Sequence, residues 1–118
     1  MTYGTGIFWR KVDVSRFDLR PTDLHPNPPA RKADFRRLPY SDRSMHVVVL
    51  DPPYIPNPNP RNVRNADTFE DRYRNFETTA GMNYDDILNL YAQGIKEAKR
   101  VLKPNGMLWV KCKDTCQL

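Results

Sequence analysis

The stretch MHVVVLDPPY, residues 45–54, sets the fold class. An apolar run with β-branched residues, bounded by YSDRS before it and by two prolines after it, is predicted to be a strand. Because the run is continuous rather than alternating, both faces are expected to be covered, as in a parallel sheet flanked by helices. Such a sheet needs a crossover, and the downstream sequence supplies one. Asn83 is placed to cap a helix, with Asp85 and Asp86 in the first turn where they complement the helix dipole. Tyr84, Ile87, Leu88, Tyr91, Ile95, Ala98 and Leu102 recur at three- and four-residue steps and form the expected apolar stripe. Lys99, Arg100 and Lys103 favour its other end. KPNG (residues 103–106) stops the helix, and MLWVKC (residues 107–112) reads as a second strand. Strand, crossover helix and strand make a right-handed parallel unit, so the class is α/β.

Upstream the signals are shorter. Gly4 and Gly6 form a G-x-G turn, and a short helix is expected to about Arg16. FDLRPTDLHP reads as a brief extended segment ending at Asp23. Pro21 is awkward there, since it cannot donate to a central ladder. Residues 26–33, PNPPARKA, are expected to be loop. Residues 55–81 carry three prolines, five asparagines and no sustained periodicity, and are expected to form a long mobile loop of the kind that carries function.

The totals narrow the options. A length of 118 residues allows one small domain. Hydrophobic content of 39% and charged content of 28% fit a soluble globular chain, and the net charge of +5 suits a polyanionic partner. No apolar run approaches the roughly 18 residues that span a bilayer, and the start lacks a charged-then-apolar leader. The expected compartment is therefore the cytoplasm, with no membrane. Cys112 and Cys116 lack two further soft ligands nearby, His25 and His46 being distant in sequence, so no metal site is expected.

Ligands of open parallel sheets bind at the carboxyl ends of the strands, which places Asp51, Pro52, Pro53 and Tyr54 on the functional rim. Two consecutive prolines remove two N–H donors and fix two φ angles while leaving their carbonyls as acceptors. Asp51 adds a carboxylate and Tyr54 an aromatic face. Two acceptors beside a stacking ring suit an exocyclic amino group on a planar heterocycle.

DPPY after a hydrophobic strand resembles the catalytic motif of the S-adenosylmethionine-dependent methyltransferases that modify exocyclic amino groups of nucleic-acid bases. Other segments follow the order of that family. YGTG, with Tyr3, Gly4 and Gly6, resembles its glycine-rich cofactor turn. Asp23 in TDLHP resembles the acid that grips the ribose hydroxyls, with Asp18 as a competing position. Asp34 and Phe35 in ADFRRLPY resemble the acid and apolar pair at the adenine ring of the cofactor, and RVLKPNGMLWVK the helix end, turn and fifth strand. The resemblance implies a partial Rossmann-like class I methyltransferase fold over residues 1–118, truncated at both ends. Residues 1–40 would be its cofactor-binding half, and residues 41–118 would hold the catalytic motif, loop, helix and strand. Having the glycine turn before the catalytic motif excludes the circularly permuted class.

The implied cofactor is S-adenosylmethionine. The implied partner is double-stranded DNA with the target base flipped out and held by Tyr54. Adenine N6 is the implied target, because family members acting on cytosine N4 more often carry Ser in place of Asp51. Two alternatives remain open at this stage: an RNA base amino-methyltransferase, and an inactive remnant that binds nucleic acid or a partner chain. For phosphates, residues 10–37 offer eight Lys or Arg against four Asp. Arg61, Arg64, Arg72 and Arg74 in the loop are nearly cancelled by Asp67, Glu70, Asp71 and Glu77.

Overall fold

The computed structural model describes residues 6, 9–24, 26, 28–53 and 79–112. They form an α/β arrangement of two small parallel sheets and one helix. After a 3-10 turn at Val14–Arg16, β1 (Thr22–Asp23) pairs in parallel with β2 (Arg31–Lys32). In the second sheet β3 (Met45–Leu50) pairs in parallel with β4 (Leu102–Val110), and α1 (Tyr84–Val101) lies between them in sequence. Among the described residues, no helix is long and apolar enough to cross a membrane.

The expected loop at 26–33 is corrected at Arg31–Lys32. Pro21 and Asp23, which keep their carbonyls whatever their side chains, accept from the N–H groups of Arg31 and Ala33 at 3.0 and 2.9 Å. Pro21 therefore stands just before β1 as an acceptor, and the donor it lacks is not needed.

α1 begins as its sequence predicts. The Asn83 side chain accepts from the Asp86 N–H, and the Asp86 carboxylate accepts from the Asn83 N–H, which satisfies two end groups reciprocally. Its buried face agrees with the expected stripe at Ile87 and Ala98 and departs from it elsewhere. Ile87, Leu90, Gly94, Ala98 and Val101 are buried, while Tyr84, Leu88 and Ile95 are exposed. Gly94 explains the rotation. A Cβ there would lie 2.6 Å from two carbons of the Phe35 ring and 3.5 Å from Leu50 Cδ1. The helix therefore turns its one bare position toward the ring, and larger side chains at 84, 88 and 95 point elsewhere. Gly94→Ala should lower stability by about 1 kcal/mol. Overpacking of about 1–3 kcal/mol outweighs the helix-propensity gain of about 1 kcal/mol. In a Phe35→Leu background the same substitution should be neutral or stabilising, and urea titration of the four proteins reads the difference.

The core joins α1 to one face of the second sheet. Val48 and Leu50 are buried with Leu38, Ala98 and Val101, and Phe35, Tyr40, Leu108 and Val110 pack around them. The other face is not covered as expected: Val47 is 49%, Met107 56% and Trp109 59% exposed. An apolar run through both faces of a strand needs a layer on each side, and among the described residues α1 supplies one.

KPNG does not separate helix from strand. Leu102 already pairs with Met45, and the ladder resumes at Met107 opposite Val47, so Lys103 to Gly106 stand against the single residue His46. This excursion needs Asn105 at φ 64° and leaves Gly106 no room, since a Cβ there would meet the Lys103 carbonyl at 2.9 Å. The Lys103 ammonium reaches His46 Nε2 at 3.0 Å across it.

Arg100 and Glu97 fasten α1 to the segment before β3. The Arg100 guanidinium donates to the Leu38 and Tyr40 carbonyls at 3.1 and 2.9 Å and to Asp42 and Glu97 at 2.6 Å each. Glu97 also accepts from the Leu38 N–H at 2.7 Å. Hydrogen bonds from Arg100 are the main cause holding the Glu97 carboxyl below its ordinary value, and Arg36 does the same for Asp34. A carboxyl with a depressed folded value stabilises the fold above its unfolded value, and the contribution is lost as pH falls through the folded value. The urea midpoint should therefore hold near neutrality and drop from about pH 5 to about pH 3. A midpoint constant over that span contradicts the assignment.

Candidate functional site

The ends of β3 and β4 meet at the predicted rim. Leu50 pairs with Val110, so the next residues, Asp51 and Lys111, lie opposite one another in the same register. The Lys111 N–H donates to the Leu50 carbonyl at 2.8 Å, and the Tyr91 hydroxyl on α1 donates to the Lys111 carbonyl at 3.1 Å. From this tethered backbone the Lys111 ammonium reaches Asp51 Oδ2 at 3.1 Å. Side-chain exposures of 41% and 28% for Lys111 and Asp51 keep the pair within reach of solvent.

Pro52 and Pro53 are buried, and Pro52 is among the most enclosed residues of the chain. Of the two acceptors expected at this rim, the Asp51 carboxylate is presented to solvent and the Pro52 carbonyl is enclosed. Tyr54, the expected stacking ring, lies outside the described residues, as does most of the expected loop, residues 55–78. Cys112 is exposed just past the end of β4.

The residues expected at a cofactor are placed as follows. Gly6 has φ 74°, a left-handed conformation that suits a glycine turn, and its carbonyl accepts from the Trp9 N–H at 3.0 Å. Tyr3 and Gly4 lie outside the described residues. Asp23 is half-buried at the end of β1, in a different sheet from Asp51. The competing Asp18 is exposed and paired with Arg20 at 2.8 Å. Asp34 is held by Arg36 through Nε at 3.0 Å to each carboxylate oxygen and through a terminal nitrogen at 2.6 Å. Its expected partner Phe35 is half-buried on Gly94, beside Leu50 at the end of β3. The structure thus brings Phe35 and the end of β3 together through α1.

Lys111 is the site residue that sequence reasoning missed. Motif reading stops at DPPY, and Lys111 lies 60 positions further on. The register of β3 and β4 is the signal that would have found it. Among the described residues no group of three or more His, Cys, Asp or Glu is gathered as metal ligands would be. Comparisons with protein-family models, curated proteins and solved structures returned no match.

Proposed function

We propose that this chain is the catalytic-motif region of a Rossmann-like, S-adenosylmethionine-dependent methyltransferase acting on the N6 amino group of adenine in DNA. The observation that carries the reading is a half-buried carboxylate, Asp51, at the carboxyl end of a parallel strand, followed at once by two buried prolines.

An amino group conjugated to a base is a poor nucleophile, because its lone pair is delocalised into the ring. Asp51 is the accessible acceptor for one of its N–H bonds, and the Pro52 carbonyl is the second acceptor that the motif supplies. Held from both hydrogens, the nitrogen pyramidalises and its lone pair points outward. Most of the work is positioning, and Asp51 is also placed to accept the proton that the nitrogen releases. The prolines fix φ at both positions, which limits how far the Pro52 carbonyl can swing.

The donor set fits the implied cofactor in part. Asp23 offers a half-buried carboxylate suited to ribose hydroxyls, and Phe35 a half-buried ring suited to a purine. Asp34 does not fit as it stands, because its carboxylate is engaged by Arg36 on both oxygens. When bound, S-adenosylmethionine supplies an electrophilic methyl carbon.

DNA as partner is supported by the exposed cations Arg10, Lys11, Arg16, Arg31, Lys32 and Arg37, set against few acids in the same segment. The test is transfer of labelled methyl from S-adenosylmethionine to duplex DNA, to RNA and to no polymer, followed by nucleoside analysis. Label should appear in DNA as N6-methyl-2′-deoxyadenosine. Label confined to RNA would overturn the DNA assignment, and a folded chain that labels neither polymer overturns the enzyme reading.

A further inference from the structure

We infer that Lys111 is a positioning residue for this site, holding the Asp51 carboxylate in the orientation from which it receives the amino group. The inference rests on the methyltransferase reading above and adds to it a residue outside the motif.

The argument starts from what the motif removes. A carboxylate at a strand end is ordinarily steadied by backbone N–H groups one or two residues on, as in an Asx-turn. At Asp51 those two positions are Pro52 and Pro53, and neither has an N–H. The stiffness that aims the Pro52 carbonyl thus takes away the local donors that would aim the Asp51 side chain. A donor must come from another element.

Lys111 supplies one, and its backbone is placed for the task twice over. The ladder from Leu50 sets its height beside Asp51, and the Tyr91 hydroxyl ties its carbonyl to α1. Its ammonium therefore springs from a fixed point and engages Oδ2 of Asp51. An ion pair this wet adds little to stability, about 0–1 kcal/mol, so its contribution should be visible in rate and not in folding. A carboxylate that loses this contact would present its oxygens at a shifted angle, and small misplacements at a reacting centre are costly in rate.

The test is steady-state methyl transfer to DNA by Lys111→Met and Lys111→Arg, each alone and in an Asp51→Asn background. Asparagine keeps one acceptor oxygen but no charge for Lys111 to hold. Lys111→Met should lower kcat about tenfold or more with KM for DNA little changed, and Lys111→Arg should recover most of the loss. In the Asp51→Asn background Lys111→Met should add no further loss, because its route through Asp51 is already broken. Urea titration should give unchanged folding throughout. If Lys111→Met does not fold, Lys111→Leu carries the same expectations.

Three outcomes overturn the inference: full activity of Lys111→Met, a rise in KM with kcat unchanged, which marks a phosphate contact, and a loss that adds fully to that of Asp51→Asn. An active wild type with an unaffected Lys111→Met removes the inference alone. A wild type that labels no polymer removes the methyltransferase reading and this inference with it.

Discussion

Asp51→Ala should abolish most methyl transfer, lowering kcat about a hundred- to a thousandfold, the range seen when one fixed hydrogen-bonding group is removed from a reacting centre. The side chain lost is the acceptor that solvent reaches, and the remaining acceptor, the Pro52 carbonyl, is enclosed. Asp51 is partly exposed and its partner Lys111 is more so, so the unfolding free energy should change by no more than about 1 kcal/mol. Asp51→Asn should be milder, near tenfold, because the amide oxygen still accepts a hydrogen bond. The order wild type, asparagine, alanine in kcat, with all three proteins equally folded, is the expected pattern. An alanine variant as active as the wild type removes Asp51 from the chemistry.

The largest effect on stability is expected at Glu97, away from the ends of β3 and β4. Glu97→Ala should destabilise the chain by about 2–3 kcal/mol, read as a lower urea midpoint at constant slope. The Glu97 side chain is 12% exposed and accepts from the N–H of Leu38, itself buried. Alanine leaves that N–H without its acceptor and takes a carboxylate from two arms of Arg100. Glu97→Gln keeps an oxygen for Leu38 and loses the charge, and should cost about half as much. Alanine and wild-type midpoints that coincide would show that water replaces the carboxylate at no cost, and that α1 is held to the segment before β3 by packing alone.

How much of this was legible depended on how far each signal had to reach. The cap of α1 lies within four residues, Asn83 to Asp86, and the sequence marks it plainly. β3 carries its own apolar run, and its parallel partner follows from the helix between. β2 could not be read in the same way: Arg31 and Lys32 have no strand character, and their pairing comes from the carbonyls of Pro21 and Asp23 several residues upstream. The face of α1 was misjudged because large apolar residues were weighed and a glycine was not. Gly94 matters through what sits on it, the Phe35 ring from 59 positions earlier. At the site, Asp51 and its prolines are visible in one glance at the sequence, whereas Lys111 needs the strand register. Tyr54, Tyr3 and Gly4 lie outside the described residues.

The excursion at Lys103 to Gly106 acts as gearing between two kinds of rise. From Tyr91 to the end of α1 the chain descends ten residues, about 15 Å at helical rise. From Leu102 to Lys111, nine further steps at full strand rise would climb about 30 Å and carry Lys111 well past Tyr91. Because four residues of β4 stand against His46 alone, the ladder advances only as far as Met45 to Asp51 does, about 20 Å. The two runs then nearly match, and the Tyr91 hydroxyl meets the Lys111 carbonyl. KPNG is thus a length adjuster: the four residues it holds against His46 bring Lys111 opposite Asp51.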